Sequence, residues 1–365
     1  MNPARSPAPL VAIACGGTGG HLFPGLAVAL QLRESGCEVA LLISPKEVDQ
    51  QAVKSVSGMA VHTLPAVALQ GRNGFSFGRS FVRSLLTARK IFRQRRPVAV
   101  LAMGGFTSAP PVCVAKMLGV KTFLHESNAI PGRANRLLAR WVDTAFIGFP
   151  EAAGRLATRR TVVTGTPVRP EFQIRPPADC RRALGLKPEL PTVLVVGGSQ
   201  GASGLNNLIL ATLPALAARP WQWIHLTGAA DVEKVRTAYA QLGLAAVVRP
   251  FLAEMDLALG AATAAVSRAG ASSLAELAAL RLPALLVPFP AAADNHQFFN
   301  ARNFADSGAA RLVEQQTASP AATAVLLDAL VGDETVRREM QAALARWHAP
   351  GAAAEIAAGI LRAVG

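Results

Sequence analysis

Tyrosine occurs once in 365 residues, and cysteine and tryptophan four times each; aromatic residues together make up 5%. So thin an aromatic supply argues against a surface that stacks nucleic-acid bases, and no DNA- or RNA-reading module is present. The four cysteines, Cys15, Cys37, Cys113 and Cys180, lie far apart without a Cys-x-x-Cys pair. That excludes a disulfide framework and a cysteine-type zinc site, and it fits a reducing compartment. Acidic residues are scarce as well, 23 against 37 lysines and arginines, for a formal net charge of +14. An excess of this sign favours anionic partners: nucleic acid, phosphorylated substrates or an anionic lipid surface. Charged residues are only 16% of the chain and hydrophobic ones 51%, which excludes a disordered tail or a coiled coil. Met1–Pro9 holds no signal-peptide core, and the uncharged stretch Pro97–Ala115 is broken by Gly104, Gly105, Pro110 and Pro111. No membrane-spanning segment is expected.

What the chain does contain is short apolar runs alternating with helical patterns. Strands are expected at Leu10–Ala14, Val39–Ile43, Val61–Leu64, Val98–Met103, Lys121–Leu124, Ala145–Ile147 and Thr161–Val163. Helical stretches fall between them, for example Pro24–Glu34 and Ser108–Leu118. After a segment rich in proline (Pro167, Pro170, Pro176, Pro177, Pro188, Pro191) the alternation restarts. Strands are then expected at Val193–Val196, Trp223–Leu226, Ala246–Arg249, Ala264–Ser267 and Ala284–Val287. Strands separated by helices imply right-handed crossovers and a parallel sheet, here twice over. The expected architecture is therefore α/β: two Rossmann-like domains facing across a cleft that receives the carboxyl ends of both sheets. The boundaries are expected at residues 1–166 and 167–345, with a C-terminal helix in 346–365 packing back on the first domain.

Polar and glycine-rich segments stand where these strands end. Gly16-Gly-Thr-Gly-Gly-His21 follows the first strand; four glycines in five positions let backbone N–H groups approach an anion closely. It is not the dinucleotide fingerprint, since the third glycine position is Leu22, and no GxxxxGK[ST] occurs. An ordinary strand–helix turn would also accept these glycines, but His21 at the helix entry adds chemistry. Met103–Ser108 is a second glycine turn, with Ser108 placed to cap a helix. His125-Glu-Ser-Asn128 puts polar residues directly after a buried strand. In the second half, Gly197-Gly-Ser-Gln-Gly201 repeats the anion cradle, and Arg268–Glu276 is again strand, turn and helix. Ser273 and Glu276 stand at capping-box spacing, an alternative to Glu276 holding a ribose diol. Asp294, His296 and Gln297 follow in a loop feeding a helix.

Taken in order, GGTGGH (16–21), MGGFTSAP (103–110), HESNAIPG (125–132), GTPVR (165–169), VVGGSQGA (195–202), the 268–276 run and DNHQ (294–297) resemble the MurG family. These are bacterial UDP-N-acetylglucosamine:undecaprenyl-diphospho-muramoyl-pentapeptide transferases, and the likeness runs from about Leu10 to Leu312. It implies a glycosyltransferase-B fold and transfer of N-acetylglucosamine from its UDP donor to lipid I. The product is lipid II for peptidoglycan, formed with inversion at the sugar. It further implies no cofactor, no obligatory bound metal, a peripheral position on the cytoplasmic face of the cell membrane, and contacts with other cell-wall synthesis proteins. Carried over by motif, the substrate site comprises Thr18, Gly19, Gly20, Asn128, Arg169, Ser199, Leu252, Ala271, Ser272, Ser273, Leu274, Ala275, Glu276 and Gln297. Leu252 rests on PFLAEM (250–255), which matches a family segment that contacts uracil. The chain departs from the family pattern at Thr166, Ser127, Ala269 and Phe106, where Asn, Gln, Ser and Tyr are commoner.

Inverting transfer requires a base for the acceptor hydroxyl and stabilisation of the departing UDP. His21 is the first candidate base because imidazole titrates near neutrality, and Glu126 the second. Ser199 with its glycine loop, and Arg169, are candidates for the diphosphate charge. A UDP-sugar epimerase or another lipid glycosyltransferase of the same fold is the rival reading. Finally, Gly71–Arg96 carries eight basic residues and no acidic one. Phe77, Phe81, Leu85, Ala88 and Phe92 recur there at helical spacing, the pattern of a helix lying on an anionic lipid surface. The same apolar face would serve equally to pack on the first domain's sheet.

Overall fold

The computed structural model describes residues 8–55, 58–65, 74–198 and 201–365. The chain divides into two compact units, Met1–Arg169 together with Pro350–Gly365, and Pro170–Ala349. In the first unit the strands are β1 (Leu10–Ala14), β2 (Glu38–Ile43), β3 (Ala60–Thr63), β4 (Ala99–Ala102), β5 (Lys121–Glu126), β6 (Thr144–Ile147) and β7 (Thr161–Val163). Between them run helices α1 (Gly19–Glu34), α2 (Glu47–Ala52), α3 (Gly74–Gln94), α4 (Ala109–Met117) and α5 (Arg133–Leu138). The sheet is parallel throughout, in the order β3-β2-β1-β4-β5-β6-β7. The chain winds outward from β1 to β3, then crosses back to lay β4 on β1's free side. That reversal leaves a crevice at the carboxyl ends of β1 and β4, where open α/β sheets take ligands.

Alternation along the strands builds two cores, one on each face of this sheet. Ala12, Ala14, Val100 and Ala102 pack with Ala88 and Phe92 of α3 and Val112 and Ala115 of α4. Val11, Ile13, Leu41 and Leu101 pack on the opposite face with Leu26 and Leu32 of α1 and with Ile356 and Ile360 of the C-terminal segment. Strands buried on both faces read as near-continuous apolar runs, hence their visibility in the sequence.

Two expectations change in this unit. Helix α1 begins at Gly19 rather than Pro24, because the extended backbone of Thr18 (φ −157°, ψ 156°) starts it a turn earlier and Pro24 lies inside. The stripe expected to meet lipid mostly turns inward: Ala88 and Phe92 are core residues and Leu85 packs against them. Among the described residues of α3, the large apolar side chains most exposed to solvent are instead Val82 and Leu86, each 55% exposed.

The second unit's sheet holds β8 (Thr192–Val196), β9 (Gln222–Leu226), β10 (Ala246–Arg249), β11 (Ala264–Ser267), β12 (Ala284–Leu286) and β13 (Arg311–Leu312). Its order is β10-β9-β8-β11-β12-β13, again parallel, so β8 and β11 flank the reversal. Its helices are α6 (Pro177–Ala183), α7 (Ser203–Leu216), α8 (Val232–Gln241), α9 (Met255–Ala261), α10 (Ala271–Ala279), α11 (His296–Asp306), α12 (Pro320–Gly332) and α13 (Glu334–Trp347). A last helix, α14 (Ala352–Val364), belongs to the first unit. The units part at Arg169 rather than Thr166, and the returning segment starts at Pro350 rather than 346. The physical reason for the later start is Trp347, whose ring stacks 4.5 Å from that of Phe304 and whose Nε1–H donates to Ser307 Oγ at 2.8 Å. Among the described residues no helix is long and apolar enough to cross a membrane.

Candidate active site

In the first unit, the turn after β1 is shaped by what surrounds it. A Cβ on Gly16 would lie 2.2 Å from the Ser44 backbone nitrogen, so only glycine lets this turn press against the end of β2. Gly17 takes φ +113°, a conformation that side chains resist. Thr18 and His21 then meet, Oγ1 to Nδ1 at 3.1 Å, at the entry of α1. The turn after β4 supplies the other wall. A Cβ on Gly104 would stand 2.9 Å from His21 Nε2, and one on Gly105 3.1 Å from Nδ1. Both glycines have positive φ, so the imidazole packs directly on their backbone. Ser108 precedes α4 but does not cap it with its hydroxyl; Oγ turns back to Gly104, donating to its carbonyl at 2.7 Å.

Asn135 of α5 joins this cluster, its Nδ2 3.3 Å from the Gly104 Cβ position. It leads to Glu126, which is 2% exposed. One carboxylate oxygen accepts from Asn128 N at 2.8 Å and Asn128 Nδ2 at 3.0 Å. The other accepts from Gly132 N and Asn135 Nδ2, both at 2.9 Å. Four N–H donors commit the carboxylate, so Glu126 organises the loop that presents Asn128 and does not offer a lone pair for proton abstraction. His125 beside it is wholly buried, and burial pulls its pKa down to about 4, leaving it neutral. Arg169 reaches the same region by another path: its guanidinium lies 4.3 Å from the centroid of Phe23, whose ring also covers Gly19. The structure thus brings Thr18, Gly19, Gly20, His21 and Arg169 to the start of α1, with Glu126 and Asn128 linked through Asn135.

In the second unit, the turn after β8 is equally tight. A Cβ on Gly201, at φ +75°, would fall 2.2 Å from the Thr227 carbonyl oxygen. Ser199, expected beside it, lies outside the described residues, as does Gln200. After β11, helix α10 starts at Ala271 with Gly270 as its N-cap. Ser273 is therefore the third helical residue, and the capping-box alternative for Glu276 falls. Ala271 and Leu274 point into the core, at 6% and 1% exposure, so only their backbone can meet a ligand. Ser272, Ser273, Ala275 and Glu276 are half-exposed on the helix's other side. Leu252, half-buried, sits between β10 and α9.

Gln297 ties two loops together: its Oε1 accepts from Ala269 N at 3.2 Å and Phe289 N at 3.0 Å. Those bonds use only the oxygen of its amide. Just before it, Asp294 and Asn295 both adopt left-handed backbone conformations (φ 51° and 54°), strain of the kind that gathers at ligand sites. Arg268 is structural: its Nη1 donates to the carbonyls of Val287 and Pro288, and Nη2 to Gln315 Oε1 at 2.6 Å.

Sequence reasoning missed Asn135 and the buried Asp49, which holds Gly17. Asn135 is signalled only by its nearness to HESN. Asp49 has no local signal at all.

Comparison with known proteins matches residues 11–147 to the glycosyltransferase family 28 N-terminal domain and residues 192–356 to the corresponding C-terminal domain. The chain is 41% identical over 360 residues to a relative from Acidithiobacillus ferrooxidans (strain ATCC 53993 / BNL-5-31), covering 97% of this chain and 98% of the relative. It is 39% identical to one from Anaeromyxobacter sp. (strain Fw109-5), covering 94% and 91%. Both relatives carry the name UDP-N-acetylglucosamine–N-acetylmuramyl-(pentapeptide) pyrophosphoryl-undecaprenol N-acetylglucosamine transferase. The fold is similar to the crystal structure of Acinetobacter baumannii MurG, at 28% identity and a TM-score of 0.77 over 98% of this chain and 100% of that one. A calicheamicin glycosyltransferase, 16% identical with a TM-score of 0.69 over 98% of this chain and 99% of that one, shares the fold alone.

Proposed function

We infer that this chain, which belongs to the MurG family of the family-28 glycosyltransferases, transfers N-acetylglucosamine from UDP-N-acetylglucosamine to lipid I. The observation that carries the reading is local and occurs in both units. In each parallel sheet the strand at the reversal, β1 or β8, runs into a glycine turn before a helix, and the first of these turns holds an imidazole against the backbone of another. The acceptor hydroxyl attacks the anomeric carbon and gives its proton to His21. The bond from that carbon to the diphosphate oxygen breaks, and UDP leaves with the electron pair. Backbone N–H groups at the starts of α7 and α10, the Ser272 and Ser273 hydroxyls and Arg169 are the groups suited to hold the negative charge. Glu276 holds the ribose, the Gln297 amide contacts the donor, and the backbone around Leu252 reads the uracil edge. Asn128, presented by Glu126, completes the polar set.

The exposed side of α3 is the membrane-facing surface in this proposal. Val82 and Leu86 stand one turn apart there among Arg79, Arg83, Arg89, Lys90 and Arg93, all exposed. Arg95 and Arg96 are engaged elsewhere, by Glu38 and the Leu118 carbonyl.

A transfer assay with labelled donor and a short-chain lipid I analogue tests the activity, and Glu276→Ala tests the donor site. A hydrogen bond to a charged group contributes about 1.5–3 kcal/mol, so the donor KM should rise roughly 10- to 100-fold while kcat changes little. An unchanged donor KM in the folded variant would remove Glu276 from the site.

A further inference from the structure

Asp49 lies in α2, within a stretch that carries no motif, and it is completely buried. Its Oδ2 accepts three hydrogen bonds: from Gly17 N at 2.6 Å, Ser44 N at 3.1 Å and Ser44 Oγ at 2.5 Å. Its Oδ1 is buried too and meets no donor among the described residues. A carboxylate so placed is costly, and where only volume must be filled an uncharged side chain does better. The arrangement makes sense through what the carboxylate grips, a residue 32 positions away in the first glycine turn.

Gly17 is held at both polar ends. Asp49 takes its N–H, while Lys46 Nζ donates to its carbonyl at 2.9 Å, and Thr107 Oγ1 donates to the carbonyl of Gly16 at 2.7 Å. Two consequences follow for the site. The Gly17 amide faces the protein interior, so any anion at this turn must be met by the residues after it. And because Gly17 is fixed at φ +113°, the direction of Thr18 is fixed as well, and with it the Oγ1 that contacts His21 Nδ1.

We propose that Asp49 is a positioning residue of the active site: by drawing Gly17 inward it sets Thr18 and so orients the His21 imidazole. The proposal rests on the reading of His21 as the base. Asp49→Asn keeps the shape but removes the charge and replaces one acceptor oxygen with a donor amide. In the transfer assay kcat should fall about 3- to 10-fold, because the Asn oxygen still accepts from Gly17 and Ser44 but each charge-assisted bond becomes a weaker neutral one. In a His21→Ala background the same change should have little further effect, because a residue acting through His21 has nothing left to orient. Losses that multiply, or an Asp49→Asn enzyme that turns over normally, overturn the proposal. If His21→Ala itself turns over normally, the base assignment falls, and the same cycle run against Thr18→Ala decides the role of Asp49 alone. Should Asp49→Asn fail to fold, Ser44→Ala, which removes one donor to the same oxygen, takes its place in the cycle.

Discussion

Two histidines that never reach solvent give the molecule a defined response to acid. His125 in β5 bonds the Gly165 carbonyl through Nε2, and His225 in β9 lies between Tyr239 OH and Asn206 Oδ1. Burial lowers their pKa values to about 4 and about 3. Below about pH 6.5 the unfolded chain takes up a proton at each imidazole that the folded chain refuses. Stability present above pH 6.5 is therefore lost as pH falls towards 4, by about 1.4 kcal/mol per pH unit for each histidine. Thermal melts should show the midpoint dropping between pH 7 and pH 5. His225→Gln, whatever its effect at neutrality, should flatten the part of that slope that belongs to the second unit; parallel curves for variant and parent would contradict this account. At this scale the sequence is legible where chemistry is written into neighbours, as in GGTGGH. It is silent where the fold does the joining. Glu126 looks like any free carboxylate in HESN, and only the fold shows four N–H groups closing on it. Asp49 is one acid among others until the fold carries it to Gly17.

Among the elements, α3 shows how an amphipathic pattern can be read correctly and assigned to the wrong neighbour. Spacing identifies the apolar stripe through Leu85, Ala88 and Phe92 but not the surface it meets, since a sheet and a lipid layer ask for the same residues. The structure gives that stripe to the core and leaves Val82, Leu86 and the arginines outside. Replacing Arg79, Arg83 and Arg89 together with Glu should weaken co-sedimentation with anionic vesicles by about two orders of magnitude or more, at about 1 kcal/mol for each basic residue lost. Undiminished binding by the folded variant would place the membrane surface elsewhere. Strands were the more legible elements: β1, β7, β10 and β11 begin and end where their apolar runs do. The two-residue β13 is too short for any periodicity, and the start of α10 is hidden because serine at 273 imitates a cap three residues inside the helix.

For the molecule as a whole, the return of residues 350–365 to the first unit matters most. Ile356 and Ile360 are fully buried there with Ile13, Phe123 and Phe146, and a Cβ on Gly359 would touch the Phe146 ring at 2.9 Å. Removing a buried isoleucine side chain costs about 2–5 kcal/mol. Ile356→Ala should therefore speed hydrogen exchange at the amides of β1 and β2 while those of β8 and β9 keep their protection. Equal loss in both sheets would mean that the two units do not open separately.

The order of synthesis turns this arrangement into a matter of time. All 180 residues from Pro170 to Ala349 are made after the first sheet and before the helix that completes its core. At roughly 5–20 residues per second, the part of that sheet's face at Phe123 and Phe146, where Gly359 of the last helix packs, waits about ten to forty seconds for its cover. During that interval α1 packs on that face, and the place of Ile356 and Ile360 stays open. A ribosome that stalls anywhere in the second unit releases an unfinished fold, not a spare domain.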